Sequence, residues 1–384
     1  MKAKSGTRTK SAVSRSEDLQ SVVGKTSFRQ ALLRWFDEYR RDLPWRQVEE
    51  AYAVWVSEIM LQQTQVATVI DYYERWMERF PSVYELADAE IDEVLELWSG
   101  LGYYRRARYL HSGAQRVVDE FDGRLPSTVS ELKKLPGIGP YTAGAIASIA
   151  FGAVEPLVDG NVERVISRLF ALSGDPKRGS TRGQIWARAE ELVDPDRPGD
   201  FNQALMELGS LVCALRSPSC QSCPTRQWCL ARKIGKAEAF PESAKRAKPL
   251  PMRARACVVY AEVGDQRRFL LRRRPAKGLL ARLWEFPSCE RAGKTWPTLL
   301  ELKERLAEAP GVKVEGPIGR TMGTVEHVFS HRRLRLRVHQ LELPPSAADE
   351  PMSDDRWRWV DEEALADVAS AALLKKVRKL WAGS

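Results

Sequence analysis

Residues 51–64 read AYAVWVSEIMLQQT, apolar almost all round, which predicts a buried helix carrying one carboxylate, Glu58. Burial penalises ionisation. Glu58 is therefore either bonded to an Arg or a neighbouring helix N-terminus, or it has a raised pKa that suits it to hand over a proton. Gln62 follows on the same face, with Gln63 and Thr64 at the helix end, where their polar groups can reach base edges or fill a gap in a stack.

A second stretch, LPGIGPYTA at residues 135–143, places Gly137 and Gly139 in a tight turn before Tyr141 and a small-residue helix. Bare N–H groups and the dipole at such a helix start attract an anion, such as a nucleic-acid phosphate. An ordinary corner between two helices has the same pattern. Eighteen residues past Tyr141 comes Asp159, in Val158-Asp159-Gly160-Asn161-Val162.

Cys213, Cys220, Cys223 and Cys229 are spaced C-x6-C-x2-C-x5-C. Thiolates so spaced can wrap one ion or one cluster. Zinc sites draw on two separated close pairs, whereas one close pair flanked by wider gaps favours a 4Fe–4S cluster. Cys257 and Cys289 stand apart and read as small buried apolar side chains. Residues 99–108 combine two glycines, Tyr103, Tyr104 and three arginines. They suit a loop that lays a ring against bases while guanidiniums hold phosphates, or else a helix corner with a solvated basic face.

Helical periodicity begins near residue 27 and continues through 66–79, 83–98, 105–121, 162–172, 183–193 and 202–211. Beyond residue 252 the texture becomes α+β, with strands at 256–263, 268–273 and 333–338 and helices at 298–308 and 362–381. The alternating Arg333, Arg335 and Arg337 read as a solvated surface protecting a sheet edge, with a phosphate-facing role second.

A chain of 384 residues, 43% hydrophobic with 12 Trp, is long enough for two domains with their own cores. It has no apolar run of 18 residues and no hydrophobic centre in residues 1–25, so neither a membrane span nor a secretion signal is expected. The expected location is the cytoplasm, at the nucleoid if the source is bacterial. The net charge is +9, yet residues 1–25 hold +4 and residues 231–255 hold +6, so the folded bodies are nearly neutral together. A polyanion must then be bound by a local basic face plus these segments.

Residues 43–46 (LPWR), 57–66 (SEIMLQQTQV), 100–104 (GLGYY), 135–139 (LPGIG), 158–162 (VDGNV) and the cysteine loop together resemble MutY-type adenine DNA glycosylases. These are helix–hairpin–helix base-excision enzymes similar to endonuclease III in their catalytic half. The resemblance implies a mainly α N-terminal glycosylase domain at 26–230 and an α+β MutT/Nudix-like domain at 253–384 that recognises 8-oxoguanine. A disordered basic tail at 1–25 and a linker at 231–252 complete the division. The domain at 26–230 includes an iron–sulfur loop at 213–229.

The implied substrate is adenine paired with 8-oxoguanine or guanine in duplex DNA. Glu58 is then the general acid and Asp159 the stabiliser of the sugar cation, supported by Tyr141 and Asn161. Arg46, Gln62, Gln63, Thr64, Tyr103, Gly137 and Gly139 contact DNA, and Phe329, Ser330 and His331 read the lesion. Tyr141 stands where backbone-cutting relatives place a Schiff-base lysine, which implies a monofunctional enzyme. Residues 253–384 carry no Mg²⁺-binding Nudix box, so this half is expected to bind rather than hydrolyse. An asymmetric grip on one lesion needs only a monomer, and downstream repair proteins are further expected partners. Two alternatives stay open: a mismatch glycosylase for another base, such as thymine in G:T, and a non-enzymatic iron–sulfur DNA-binding module.

Overall fold

Phe28, Leu32 and Phe36 recur at helical spacing and all three are fully buried. They belong to the first of the α-helices that, among the described residues, fill the N-terminal half of the computed structural model: α1 (Val22–Tyr39), α2 (Ala51–Leu61), α3 (Val66–Arg79), α4 (Val83–Asp88), α5 (Ile91–Leu97), α6 (Arg105–Phe121), α7 (Val129–Leu132), α8 (Pro140–Phe151), α9 (Gly160–Leu169), α10 (Gly179–Leu192), α11 (Pro198–Leu211) and α12 (Leu230–Lys233). The C-terminal half contains β1 (Leu250–Val263), β2 (Gln266–Arg273), β3 (Trp284–Glu285), β4 (Ser288–Ala292), α13 (Leu299–Leu306), β5 (Thr321–Val328), β6 (Arg332–Leu343), α14 (Ser346–Asp349), β7 (Trp357–Asp361) and α15 (Ala372–Ala382). The expected mainly α first half and α+β second half are both present. The structure describes residues 19, 22–48, 50–242, 248–329, 331–349, 352–366, 368–370 and 372–382. Among these, no helix is long and apolar enough to cross a membrane.

The chain divides into two compact units, Met1–Gln62 with Arg116–Lys245, and Gln63–Gln115 with Arg246–Ser384. In the first unit, the phenylalanine stripe of α1 shares one core with Val162, Val165 and Ile166 of α9 and Phe201 and Leu205 of α11. Phe28 meets Phe201 and Trp228 edge-on, with ring centroids 6.3 and 5.6 Å apart. Each buried aromatic excludes a large apolar area from water, so this cluster fixes the two helices that carry the site residues. Gly209 is needed for the close approach of α11 to α9, because a Cβ there would come within 2.6 Å of the Cβ of Asn161.

In the second unit the predicted helix at 83–98 is two helices. Ala89 and Glu90 leave the helical region (ψ 145° and 136°), and His111 Nε2 donates to the freed carbonyl of Ala89 at 2.9 Å. The sheet runs β3-β2-β1-β6-β5, with β4 also on β1 and β7 on β2. Among the strands of the described residues, β1 and β6 pair parallel and the other strand pairs are antiparallel. Val258, Phe269 and Val338 on one face pack with Leu374 and Val377 of α15. Cys257, Val259 and Leu270 on the other pack with Leu302 and Leu306 of α13.

Further expectations change here. α1 begins at Val22, inside the stretch 1–25 expected as a disordered tail, and residues 1–18, 20 and 21 of that tail lie outside the described residues. The expected linker 231–252 holds the end of α12 and the start of β1. The helix at 362–381 starts only at Ala372, because Ser370 is taken up in a bridge to Trp284 of β3. The arginine-bearing strand β6 is internal, between β1 and β5, so Arg333, Arg335 and Arg337 guard no edge.

Candidate active site and cysteine loop

Every residue of α2 from Tyr52 to Met60 is buried, Glu58 among them at 4% exposure. Its partner comes from the glycine turn. Gly137 takes a left-handed φ of 79°, and Gly139 then starts α8 without a side-chain cap, with Pro140 in the first turn. That start places Tyr141, whose hydroxyl donates to Oε2 of Glu58 and lies 3.5 Å from the Met206 sulfur. Gln62, at the end of α2, donates to Thr142 Oγ1 at 3.2 Å and ties the same two helices.

Asp159 caps α9. Its Oδ1 accepts from the backbone N–H of Asn161 (2.9 Å) and Val162 (2.7 Å), and its Oδ2 accepts from Asn161 Nδ2 (3.0 Å). An Asp at this position satisfies N–H groups that otherwise lack partners and sits at the positive end of the helix dipole. The two carboxyls thus occupy unlike settings within one electrostatic field. Burial raises Glu58 to about 7, and the charge of Asp159 pushes the same way, while the Tyr141 hydrogen bond and Arg46 pull down. Burial also raises Asp159, but its N–H donors and Arg164 oppose that. Burial drives the Tyr141 phenol well above its ordinary value, so it stays a proton donor in the hydrogen bond.

Behind Glu58 lies a cation pair on one buried acid. Glu207 of α11 accepts from Arg41 Nη2 (2.7 Å) and Arg46 Nη2 (3.1 Å). Burial alone would raise its pKa, yet the two guanidiniums outweigh burial and hold it at about 2. Arg46, expected at the DNA, instead turns inward. Its remaining donors go to Gln203 Oε1 (3.1 Å) and the Arg41 carbonyl (2.8 Å), so the guanidinium positions the wall behind Glu58. Arg164 was also missed by the sequence reading. It holds the Asn161 side-chain oxygen (2.8 Å) and the carbonyls of Cys213 (2.7 Å) and Gly209.

The four cysteines line one cavity together with Val165 and Leu169. Arg168, 1% exposed, donates to the carbonyls of Cys213, Ala214, Leu215 and Phe240 and shapes the loop around that cavity. A lone Arg in the apolar stripe of α9 was the available signal. Among the described residues no three Cys, His, Asp or Glu side chains converge tightly enough to grip a single ion. Thiolates on one tetrahedral zinc lie about 3.8 Å apart. Four cysteine sulfurs around one cavity are a donor set that fits a cluster held by four thiolates. Burial raises Cys223 and lifts Cys229 to about 11, so without a positive centre these two remain thiols.

In the second unit, Gln63 and Tyr103 both hold left-handed backbone (φ 58° and 50°), which costs a non-glycine residue roughly 1–2 kcal/mol. Both are exposed, Tyr103 at 47%. Arg106 bridges their loops by donating to Thr64 Oγ1 (3.1 Å) and the Gly102 carbonyl (3.1 Å), with its guanidinium 5.5 Å from the Tyr103 ring. Of the arginines read as phosphate ligands, Arg106 and Arg108 are spent internally, Arg108 on the Ala281 carbonyl at 2.7 Å. Arg105 remains exposed, bonded to Tyr109. Tyr104 donates to the Ser370 carbonyl (2.6 Å). Phe329 packs 4.5 Å from His327, and the His331 carbonyl accepts from Leu250 N–H; Ser330 lies outside the described residues.

Residues 56–191 match the HhH-GPD superfamily of base excision DNA repair proteins, and residues 257–380 match the NUDIX domain family. The chain is 39% identical to a Homo sapiens adenine DNA glycosylase, over 95% of this chain and 76% of that one. It is 34% identical to the Schizosaccharomyces pombe adenine DNA glycosylase, over 91% and 88%. Its fold is also similar to a thermostable thymine-DNA glycosylase (28% identity, TM-score 0.50), covering 55% of this chain and 97% of that one. With relatives of this likeness spanning nearly its whole length, the chain belongs to the adenine DNA glycosylase family.

Proposed function

We propose that the protein removes adenine mispaired with 8-oxoguanine or guanine from duplex DNA by hydrolysis, without cutting the backbone. The observation that carries this reading is the Tyr141–Glu58 hydrogen bond. It presents a carboxyl with a pKa of about 7 beside a second carboxyl held by N–H donors.

The target base must first leave the stack, at a few kcal/mol, less for a mispair. Gln63 and Tyr103 fill the gap, their backbone set in place before DNA arrives. Glu58 then donates its proton to the extruded adenine, and the C1′–N9 bond breaks with its electron pair leaving on the base. Asp159 remains ionised and stabilises the cationic sugar, a charge already aimed by the first turn of α9. Water adds to C1′ and releases a proton to a carboxylate, which restores the acid. Tyr141 cannot form a Schiff base, so the abasic site is the product. Gly137 and Gly139 face a phosphate, and Phe329, Ser330 and His331 read the base opposite. The four cysteines hold a 4Fe–4S cluster, which would pin the loop shaped by Arg168.

The test is single-turnover adenine release from A:8-oxoguanine duplex, compared with A:G, A:T and G:T. Glu58→Gln should slow release roughly 10²–10⁴-fold. Equal rates in both proteins, or faster thymine release from G:T, would overturn the reading.

A further inference from the structure

Like charges face one another across the β1–β6 pair. The parallel register sets Arg253 opposite Arg335 and Arg255 opposite Arg337, with Arg333 at the next paired position of β6. The Arg253 row continues to Arg291 on β4 and Glu326 on β5. Strand side chains alternate between faces, so these six arginines share one face. It is the face that α13 covers further along, at Cys257 and Val259.

Opposed like charges in a sheet are destabilising, and the compensation here is partial. Glu326 pairs with Arg335 (2.8 Å) and Glu301 with Arg291 (2.7 Å). Among the described residues no acid pairs with Arg253, Arg255, Arg333 or Arg337. Several of the guanidiniums are nonetheless held in place. Trp296 lies 5.4 Å from the Arg253 guanidinium and 4.0 Å from that of Arg337. Arg255 donates to the Pro297 carbonyl (2.6 Å) and to His339 Nε2 (2.8 Å), which fixes that nitrogen as an acceptor. An arginine array that is only partly neutralised and partly held in place matches phosphate oxygens, which guanidiniums grip with paired donors.

We propose that this arginine face binds the phosphodiester backbone of duplex DNA. The choice of DNA as the polyanion rests on the function proposed above; the surface itself rests on the register. Arg253 and Arg255 belong to the +6 segment of the sequence, so charge that reads as linker is in part built into a sheet.

The experiment is a salt series of duplex affinity for the full chain carrying Arg333→Gln, Arg335→Gln and Arg337→Gln together. Removing one phosphate-binding guanidinium lowers the slope of log K against log salt by about 0.9, so the triple variant should lose about 2–3. Mispaired and fully paired duplexes should weaken alike, while adenine release at saturating protein is unchanged. The corresponding triple lysine variant should keep most of the slope. Should the triple variant not fold, exposed Arg333→Gln alone should lower the slope by about 1. An unchanged slope overturns the proposal. So does loss of binding to poly-L-glutamate with the DNA slope intact, which would assign the face to an acidic protein. A wild type that binds DNA with the full slope yet releases no adenine would refute the enzymatic reading and leave this one standing.

Discussion

The phenol of Tyr141 donates to Glu58 Oε2, so the buried acid is held by a neutral hydrogen-bond donor rather than by a direct ion pair. An arginine at that distance would fix the carboxyl in its ionised form; a phenol keeps proton transfer within reach of neutral pH.

The pH–rate profile should follow from this. With Glu58 at about 7, single-turnover adenine release should be level in mildly acidic buffer and fall about tenfold per pH unit above 7. Tyr141→Phe removes a donor that favours the carboxylate and should move the inflection to higher pH. A wild-type profile flat to pH 9 would exclude Glu58 as the acid.

Stability should show the same group with its sign fixed. Glu58 rises from 4.5 to about 7 on folding, so between these values the native state keeps a proton that the unfolded chain has lost. Stability falls as pH rises through that window, on the order of 3 kcal/mol in full. Glu58→Gln should flatten this slope and raise the urea midpoint at pH 8. A midpoint unchanged by the substitution would argue against a protonated buried acid.

Glu207 works in the opposite sense. Its carboxyl is held at about 2, so its contribution is complete above 4.5 and disappears as pH falls toward 2. Glu207→Gln strands Arg41 and Arg46 and should cost about 3–5 kcal/mol at pH 7. The deficit should shrink in chemical unfolding at pH 3.

Asp159→Asn separates charge from structure. Asparagine caps helices about as well as aspartate, so thermal unfolding should shift little while adenine release drops steeply. Borohydride should trap no covalent complex in either protein; efficient trapping would reveal an amine nucleophile.

Cys223→Ser should abolish the broad visible absorbance and the iron and sulfide content of the purified protein. Zinc in place of iron in the wild type would overturn the assignment of the cysteine loop.

Much of the site was legible because its chemistry depends on local pattern. Glu58 stood out as an acid in an apolar helix, and Asp159 lay in a cap-forming Asp-Gly-Asn. The cysteine spacing needed no fold at all. Arg46 misled because a basic residue in a Pro-Trp-Arg turn looks solvent-facing until Glu207, 161 positions later, is brought beneath it. The same holds for Arg164 and Arg168, whose partners are backbone carbonyls without any sequence signature. Whether β6 lay at an edge or inside was likewise undetermined, since alternation reports which face a residue takes and not which strand lies next to it.

The parallel pairing of β1 with β6 constrains how the C-terminal half is made. Residue 250 finds its neighbour only when residue 332 exists, so during synthesis the longest strand waits with one flank open while some eighty residues emerge. A polypeptide stopped short of β6 would keep that flank bare and be prone to edge-to-edge aggregation. Late chain termination should therefore yield insoluble protein rather than a shortened but serviceable enzyme.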